Sequence, residues 1–409
     1  MDASKVPYIS NCLSMQSKAF FDGLFVTELA SVLAGPSVGQ FFAELGATVI
    51  KVENLKTGGD VTRSWKLPSE PESDLSAYFC SANWGKHSIS VDLTKPEAKI
   101  IMEALFKKSD IVISSYKAGD ANKLGVDYEA AKAINPKIIY GEISGYGPDN
   151  TRVGYDAVIQ AEAGFMFMNG EPESKPTKMP VALIDLLAAH QLKEGLLLAL
   201  LKKERTGEGS CVQVSLIDAA LASLANQAMN WLMAGKIPQR QGSAHPNIAP
   251  YGDVYESKDG KQILLAIGND KQFQQFCVLI GEPALAKAPE FLNNQERVKH
   301  RVQLGAAISK ALKEINSEAL LPQLHAAKIP AGLVQNMQEV FAMPEAKQLV
   351  FEHLNEIKGL KSFIADITGF AIKQTLKPAP HLAADTKEVL RILDLQQKER
   401  DWRGSELIG

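Results

Sequence analysis

A carboxylate stands at Asp156, directly after Gly154 and Tyr155, at the mouth of the alanine-rich run Ala157-Val158-Ile159-Gln160-Ala161-Glu162-Ala163-Gly164. Just upstream, Ile143-Ser144-Gly145-Tyr146-Gly147-Pro148 reads as a strand that dissolves into a glycine-rich turn. An acid at a helix N-terminus after a strand is well placed to face a ligand, because the helix dipole and the free backbone N–H groups there keep it ionised. An ionised carboxylate can act as a nucleophile or a base. The same position also suits an N-cap, the ordinary job of an Asp at a helix start. The spacing alone leaves both roles open.

The elements that must position this residue read as alternating strands and helices. Phe25–Leu29 is a strand, Ser37 to Leu45 a helix that Gly46 stops, and Thr48 to Val52 the next strand. This unit opens a parallel, doubly wound sheet. Its turn lacks the GxGxxG spacing that a nicotinamide or flavin site needs. Residues 54–84 read as a polar, irregular loop, and the strand–helix alternation then continues to about residue 145. A long apolar helix from Met179 to Lys203 contains Asp185 and His190. His190, seated among leucines, reads as a core residue. Composition shifts at Gly235–Gly242, and a smaller mixed region follows, with strands near 251–255 and 262–267 and three helices. The expected organisation is a leader at 1–23, a large α/β domain from 24–228 and 331–409, and a small domain with linkers at 229–330.

The totals narrow the function classes. The 409 residues are 45% hydrophobic, enough for a large core, and the net charge of −3 argues against a broad nucleic-acid surface. Cys12, Cys80, Cys211 and Cys277 are scattered without metal-ligand spacing and read as free thiols of a reducing compartment. The polar N-terminus has no apolar signal core, and no run has the length of a membrane span. The expectation is a cytoplasmic protein with no metal site.

Several separated stretches agree on one family. The chain resembles the family III CoA-transferases, the CaiB/BaiF group, from about residue 24 to 395. The matching pieces are Val32-Leu33-Ala34-Gly35-Pro36, the run Leu45 to Glu53, Gly59-Asp60-Val61-Thr62-Arg63 and Asn83 to Lys86. Gly145 to Pro148, Gly154 to Gly164, Thr206-Gly207-Glu208-Gly209, Gly242 to Tyr251 and Pro330-Ala331-Gly332 continue it.

The resemblance implies a nucleophilic aspartate, taken here as Asp156. It would attack an acyl-CoA thioester to give an aspartyl–acyl anhydride, then an aspartyl–CoA thioester that passes CoA to a free acid. A carboxylate is ionised at neutral pH without a partner base, which suits that chemistry. Coenzyme A is then a substrate, with no permanently bound cofactor. The implied CoA contacts are Val32, Ala34, Arg63, Asn83, Lys86, Tyr116 and Lys123, and the implied substrate loop holds Gly242, His245 and Asn247. The resemblance also implies a Rossmann-like large domain, a smaller α+β domain and an interlocked homodimer. A short dicarboxylyl-CoA such as succinyl-CoA is the implied donor, and the candidates for its distal carboxylate are His245 with Asn247, or Arg152, which reads equally as exposed loop. Leu33 stands where formyl- and oxalyl-transferring members carry Gln.

Two other readings remain. The α-methylacyl-CoA racemases share the fold but need a His where this chain has Tyr155, a poor base at neutral pH. Asp185 could match the racemase acid, although transferases also carry an Asp there. The other reading is a catalytically silent CoA-binding protein.

Overall fold

The computed structural model describes residues 19–354, 357–368 and 375–409. The expected leader up to residue 18, Cys12 and parts of the strands expected near 355–375 lie outside them. The chain divides into two compact units, one made of the described part of Met1–Ile159 with Val181–Leu224 and Gln348–Gly409, the other of Gln160–Pro180 and Ala225–Lys347.

The first unit is built on six parallel strands: β1 (Phe25–Leu29), β2 (Thr48–Asn54), β3 (Lys86–Val91), β4 (Ile111–Ser114), β5 (Ile139–Ser144) and β6 (Ser210–Ser215). Their spatial order is β3-β2-β1-β4-β5-β6, the doubly wound order that reverses between β1 and β4. Residues 26–29 of β1 are all buried, as a sheet covered on both faces requires, although Thr27 and Glu28 among them are polar. The helices of this unit are α1 (Ala34–Glu44), the short α2 (Ala77–Cys80), α3 (Ala98–Lys108), α4 (Asp120–Lys123), α5 (Tyr128–Ile134), α6 (Asp156–Glu162, whose first residues belong here), α8 (Leu183–Thr206) and α9 (Leu216–Ala222). Ile101, Leu105 and Phe106 of α3 pack with Ile50, Ile89 and Val112 of the sheet, and the C-terminal Val389, Leu390 and Trp402 join that core. The N- and C-terminal segments therefore share one hydrophobic cluster.

Helix α1 begins three residues before the expected Ser37, and α8 begins at Leu183 rather than Met179. The segment expected as an irregular loop at 54–84 holds two 3₁₀ turns and α2, and it buries Asp60, Thr62, Arg63 and Ser76. Its polar sequence misled because these groups are buried against partners, Asp60 with Lys51 and Thr62, Arg63 with Glu53, and Ser76 with the Thr62 carbonyl.

The second unit contains α7 (Phe165–Met168), α10 (Ala225–Ala234) and an antiparallel sheet β7-β8-β9 (Tyr251–Glu256, Gln262–Ala266, Ala331–Leu333). Helices α11 (Asp270–Leu279), α12 (Asn294–Lys299), α13 (Arg301–Leu312) and α14 (Ser317–Ala326) belong to it. Phe273, Phe276, Leu304, Ile308 and Leu324 form its core against Ile263 and Leu265. The sequence placed the return to the large domain at residue 331, but Ala331 to Leu333 pair with β8 inside the second unit, and the return comes at Gln348. No helix among the described residues is long and apolar enough to cross a membrane.

Candidate active site

In an open parallel sheet, ligands bind beyond the C-terminal strand ends where the order reverses. Here the turn after β1 supplies Ser31, Val32, Ala34 and Gly35, the turn after β4 supplies Ser115 to Ala118, and Ser144 and Leu216 follow β5 and β6. Together with Arg152, Tyr155 and Asp185 they enclose a cavity of about 210 Å³. A neighbouring cavity of about 440 Å³ is walled by Glu53, Gly59, Asp60 and Arg63, and Tyr116 lines both. Of the residues expected to contact CoA, Val32, Ala34, Arg63 and Tyr116 thus gather at these two cavities. Burial pushes the Tyr116 phenol up to about 12, so it stays neutral and can stack or donate a hydrogen bond.

Asp156 opens α6, as the sequence indicated. Its Oδ1 accepts the backbone N–H of Ile184 at 2.8 Å, in the first turn of α8. The carboxylate thus satisfies a donor at the start of a helix other than its own, one whose N-cap residue, Ala182, makes no side-chain cap. One residue further along α8, Asp185 is buried and lies in the cavity wall. Burial first, and then the charge of Asp156, push its carboxyl from 3.8 up to about 7. The Tyr78 phenol is raised to about 12 by burial and by Asp185, Asp156 and Asp60. Two coupled carboxylates therefore stand at the positive end of a 24-residue helix.

The loop that brings Arg152 to the cavity closes on itself. Gly145 and Gly154 approach so closely that a Cβ on Gly145 would lie 2.7 Å from the Gly154 Cα. Within the loop, Gly147 N–H donates to Ser144 Oγ and Arg152 N–H to Asn150 Oδ1. The Arg152 guanidinium stacks 4.1 Å from the Tyr146 ring centre.

The other expected CoA contacts stand differently. Lys86 is fully buried, and its ammonium reaches Glu28 at 2.7 Å, the Pro36 carbonyl at 2.9 Å and Asn83 Oδ1 at 2.8 Å. Burial pulls it down to about 8. Asn83 is buried beside it and donates to the Phe79 carbonyl. Arg63 makes a two-point contact with Glu53 at 2.7 and 2.8 Å and lies 3.7 Å over the Phe79 ring. In this structure the heads of Lys86 and Arg63 are therefore held by internal partners, even though Arg63 touches the second cavity. Lys123 is exposed and pairs with Asp120 within α4. Gly242, His245 and Asn247 lie in the second unit. There His245 Nδ1 accepts the Asn247 N–H, and Arg301 donates to the His245 and Ile248 carbonyls.

The class of enzyme to which this fold and cavity belong follows from the chain's similarity to known proteins. The model of CoA-transferase family III matches residues 21–386, and the chain belongs to that family. It is 40% identical over 332 residues to the succinate–glutarate CoA-transferase of Agrobacterium fabrum, covering 80% of this chain and 82% of that one. The human succinyl-CoA:glutarate CoA-transferase is 32% identical over 91% of this chain and 86% of its own. The crystal structure of a CaiB/BaiF family protein from Brucella suis superposes with a TM-score of 0.81 at 37% identity, covering 92% of this chain and all of that one. The protein is a CoA-transferase. The racemase and silent-binder readings lose their footing, since the curated relatives at this identity are named as transferases.

Sequence reasoning singled out Asp156 and gave Asp185 only a secondary place. The available signal was a lone acid in the apolar run Ala182-Leu183-Ile184-Asp185-Leu186-Leu187, where an unpaired carboxylate is costly unless it serves a function.

Proposed function

We propose that the protein moves CoA between a short dicarboxylyl-CoA and a free dicarboxylic acid, and that Asp185 carries the acyl group while Asp156 fixes the start of α8. The observation that carries this assignment is that Asp185 lies in the cavity wall, whereas the Asp156 carboxylate is engaged with the Ile184 N–H. An Asp185 oxygen attacks the thioester carbonyl, and the CoA thiolate leaves, giving a mixed anhydride. The thiolate then attacks the aspartyl carbonyl, releasing the first acid and leaving an aspartyl–CoA thioester. The incoming carboxylate attacks that thioester and forms the second anhydride, releasing CoA thiolate again. Attack of the thiolate on the new acyl carbonyl releases the new acyl-CoA and restores Asp185. Burial strips water from the carboxylate, and the positive end of α8 favours the oxyanion of each step. The overall reaction exchanges one acyl-CoA thioester for another of similar energy, so no ATP enters.

The dicarboxylate assignment draws support from the relatives named above and from the Arg152 guanidinium in the cavity wall, a charge-assisted donor for a distal carboxylate. The free thiols of Cys80, Cys211 and Cys277 suit a reducing cytoplasm.

Borohydride or hydroxylamine trapping of enzyme treated with succinyl-CoA, followed by peptide mass mapping, tests the carrier. The modification is expected on the peptide containing Asp185, with exchange lost in D185A and only reduced in D156A. A modification on Asp156 would return the role to that residue.

A further inference from the structure

The turn from Ala30 to Pro36 walls the cavity, and one of its residues is strained. Val32 has φ +72°, a left-handed conformation that a β-branched side chain strongly disfavours. Something must hold it there. Beneath the turn lies a cluster of buried charges from β1, β2, β3 and the segment between β2 and β3, and it grips the turn at three backbone points. Lys51 Nζ donates to the Ala30 carbonyl at 2.8 Å, the Val32 N–H donates to Asp60 Oδ1 at 3.3 Å, and Lys86 Nζ donates to the Pro36 carbonyl at 2.9 Å. A fourth contact, Ser31 N–H to Ser115 Oγ, ties the turn to the end of β4.

Asp60 is the member that meets the strained peptide. Its Oδ2 pairs with Lys51 at 2.9 Å, both side chains fully buried, and Thr62 donates through its N–H and its hydroxyl to Oδ1, the oxygen that meets Val32. Burial opposes its ionisation, but Lys51 and Thr62 outweigh burial and hold the carboxyl below its ordinary range. It is therefore a fixed, ionised acceptor.

We propose that Asp60 is a positioning residue for acyl transfer: anchored by Lys51, its carboxylate holds the Val32 peptide in the left-handed conformation that shapes the cavity wall shared with Asp185. The inference rests on the acyl-transfer reading of that cavity. Without Asp60, the free enzyme spends most of its time with the turn relaxed, and acyl-CoA binding must restore the strained form. That cost appears in KM and not in kcat, because only a fraction of the free enzyme is competent to bind.

A double-mutant cycle between Asp60 and Val32 tests this. D60N is expected to raise KM for acyl-CoA about tenfold, the population cost of a left-handed β-branched residue, with kcat within about twofold. In the V32G background the same D60N change is expected to move KM by less than about threefold, since glycine carries no such penalty. A residue that merely stabilises the fold would lower melting temperature and active fraction, leave KM alone and show no dependence on residue 32. An unchanged KM in D60N, or an equal rise in both backgrounds, overturns the proposal. Should D60N show no cooperative melt, D60E keeps a charge for Lys51 while displacing the oxygen from Val32, and the same cycle applies. If the wild-type protein exchanges CoA with no acid, the functional reading fails, and the cycle is then read in CoA dissociation constants by calorimetry, where the same pattern is expected.

Discussion

At the scale of single residues, the site turns on two carboxylates whose surroundings separate their roles. Asp156 meets a backbone donor, while Asp185 is buried with that charge beside it. The folded protein holds the Asp185 proton up to about pH 7, whereas the unfolded chain loses it near the ordinary 3.8. Stability present below pH 4 is therefore lost as pH rises through 7, by up to about 4 kcal/mol at the limit. D185N removes this dependence: its melting temperature is expected to exceed that of the wild type at pH 8, with the gap closing towards pH 4. On the proposed role of Asp185 the ionised form is the nucleophile, so kcat/KM should rise with pH through an apparent pKa near 7, and a profile flat between pH 5 and 8 would contradict that role. Arg152 belongs to the same scale. R152Q is expected to cut kcat/KM for glutarate by one to two orders of magnitude, roughly the worth of a charge-assisted bond, and to leave a monocarboxylate of equal chain length nearly unaffected. Equal losses on both acids would remove Arg152 from distal-carboxylate recognition.

At the scale of elements, the sheet carries an unusual interior. Glu28 on β1 and Lys51 on β2 face each other in register, fully buried, with a contact of 3.0 Å. Lys86 on β3, opposite Val49 of β2, also reaches Glu28, and α1 lies over the cluster so closely that a Cβ on Gly39 would collide with the Glu28 carboxylate. A buried ion pair is weak evidence of stabilisation, yet breaking one leaves an uncompensated charge. K51M leaves Glu28 and Asp60 without their shared cation, and urea denaturation should show a loss of about 3–5 kcal/mol. A loss below about 1 kcal/mol would mean that water or rearrangement replaces the lysine. Burial works against the charge of Lys51, but Asp60, Glu28 and Glu53 together hold its ammonium above its ordinary range, so this cation stays charged where Lys86 is drawn down.

At the scale of the whole molecule, the family resemblance implies an interlocked homodimer. Helix α10 in the second unit exposes Met229, Trp231, Leu232 and Met233, the last two at 70% and 79%. Large apolar side chains this exposed on one helix point to a surface that another chain covers. Sedimentation velocity at micromolar concentration should give twice the chain mass of 44.4 kDa. A single species at 44.4 kDa would rule the dimer out.

The sequence by itself determined the alternation of strands and helices, the family, and the presence of an acid at the start of α6, because periodicity, turn residues and motif spacing are local properties. It also pointed to Val32, Ala34 and Tyr116, which meet at the strand ends. What it could not determine is how a side chain's charge is spent. Lys86 and Arg63 carry the residue types of phosphate ligands, but Glu28 reaches Lys86 from a strand distant in sequence, and Glu53 at the end of β2 folds back on Arg63. Asp156 has the local setting of a nucleophile, but its contact with Ile184, 28 residues on, and the burial of Asp185 in the cavity wall come from the packing of α8. Pairing, burial and desolvation are set by long-range contacts, and only the tertiary structure fixes them.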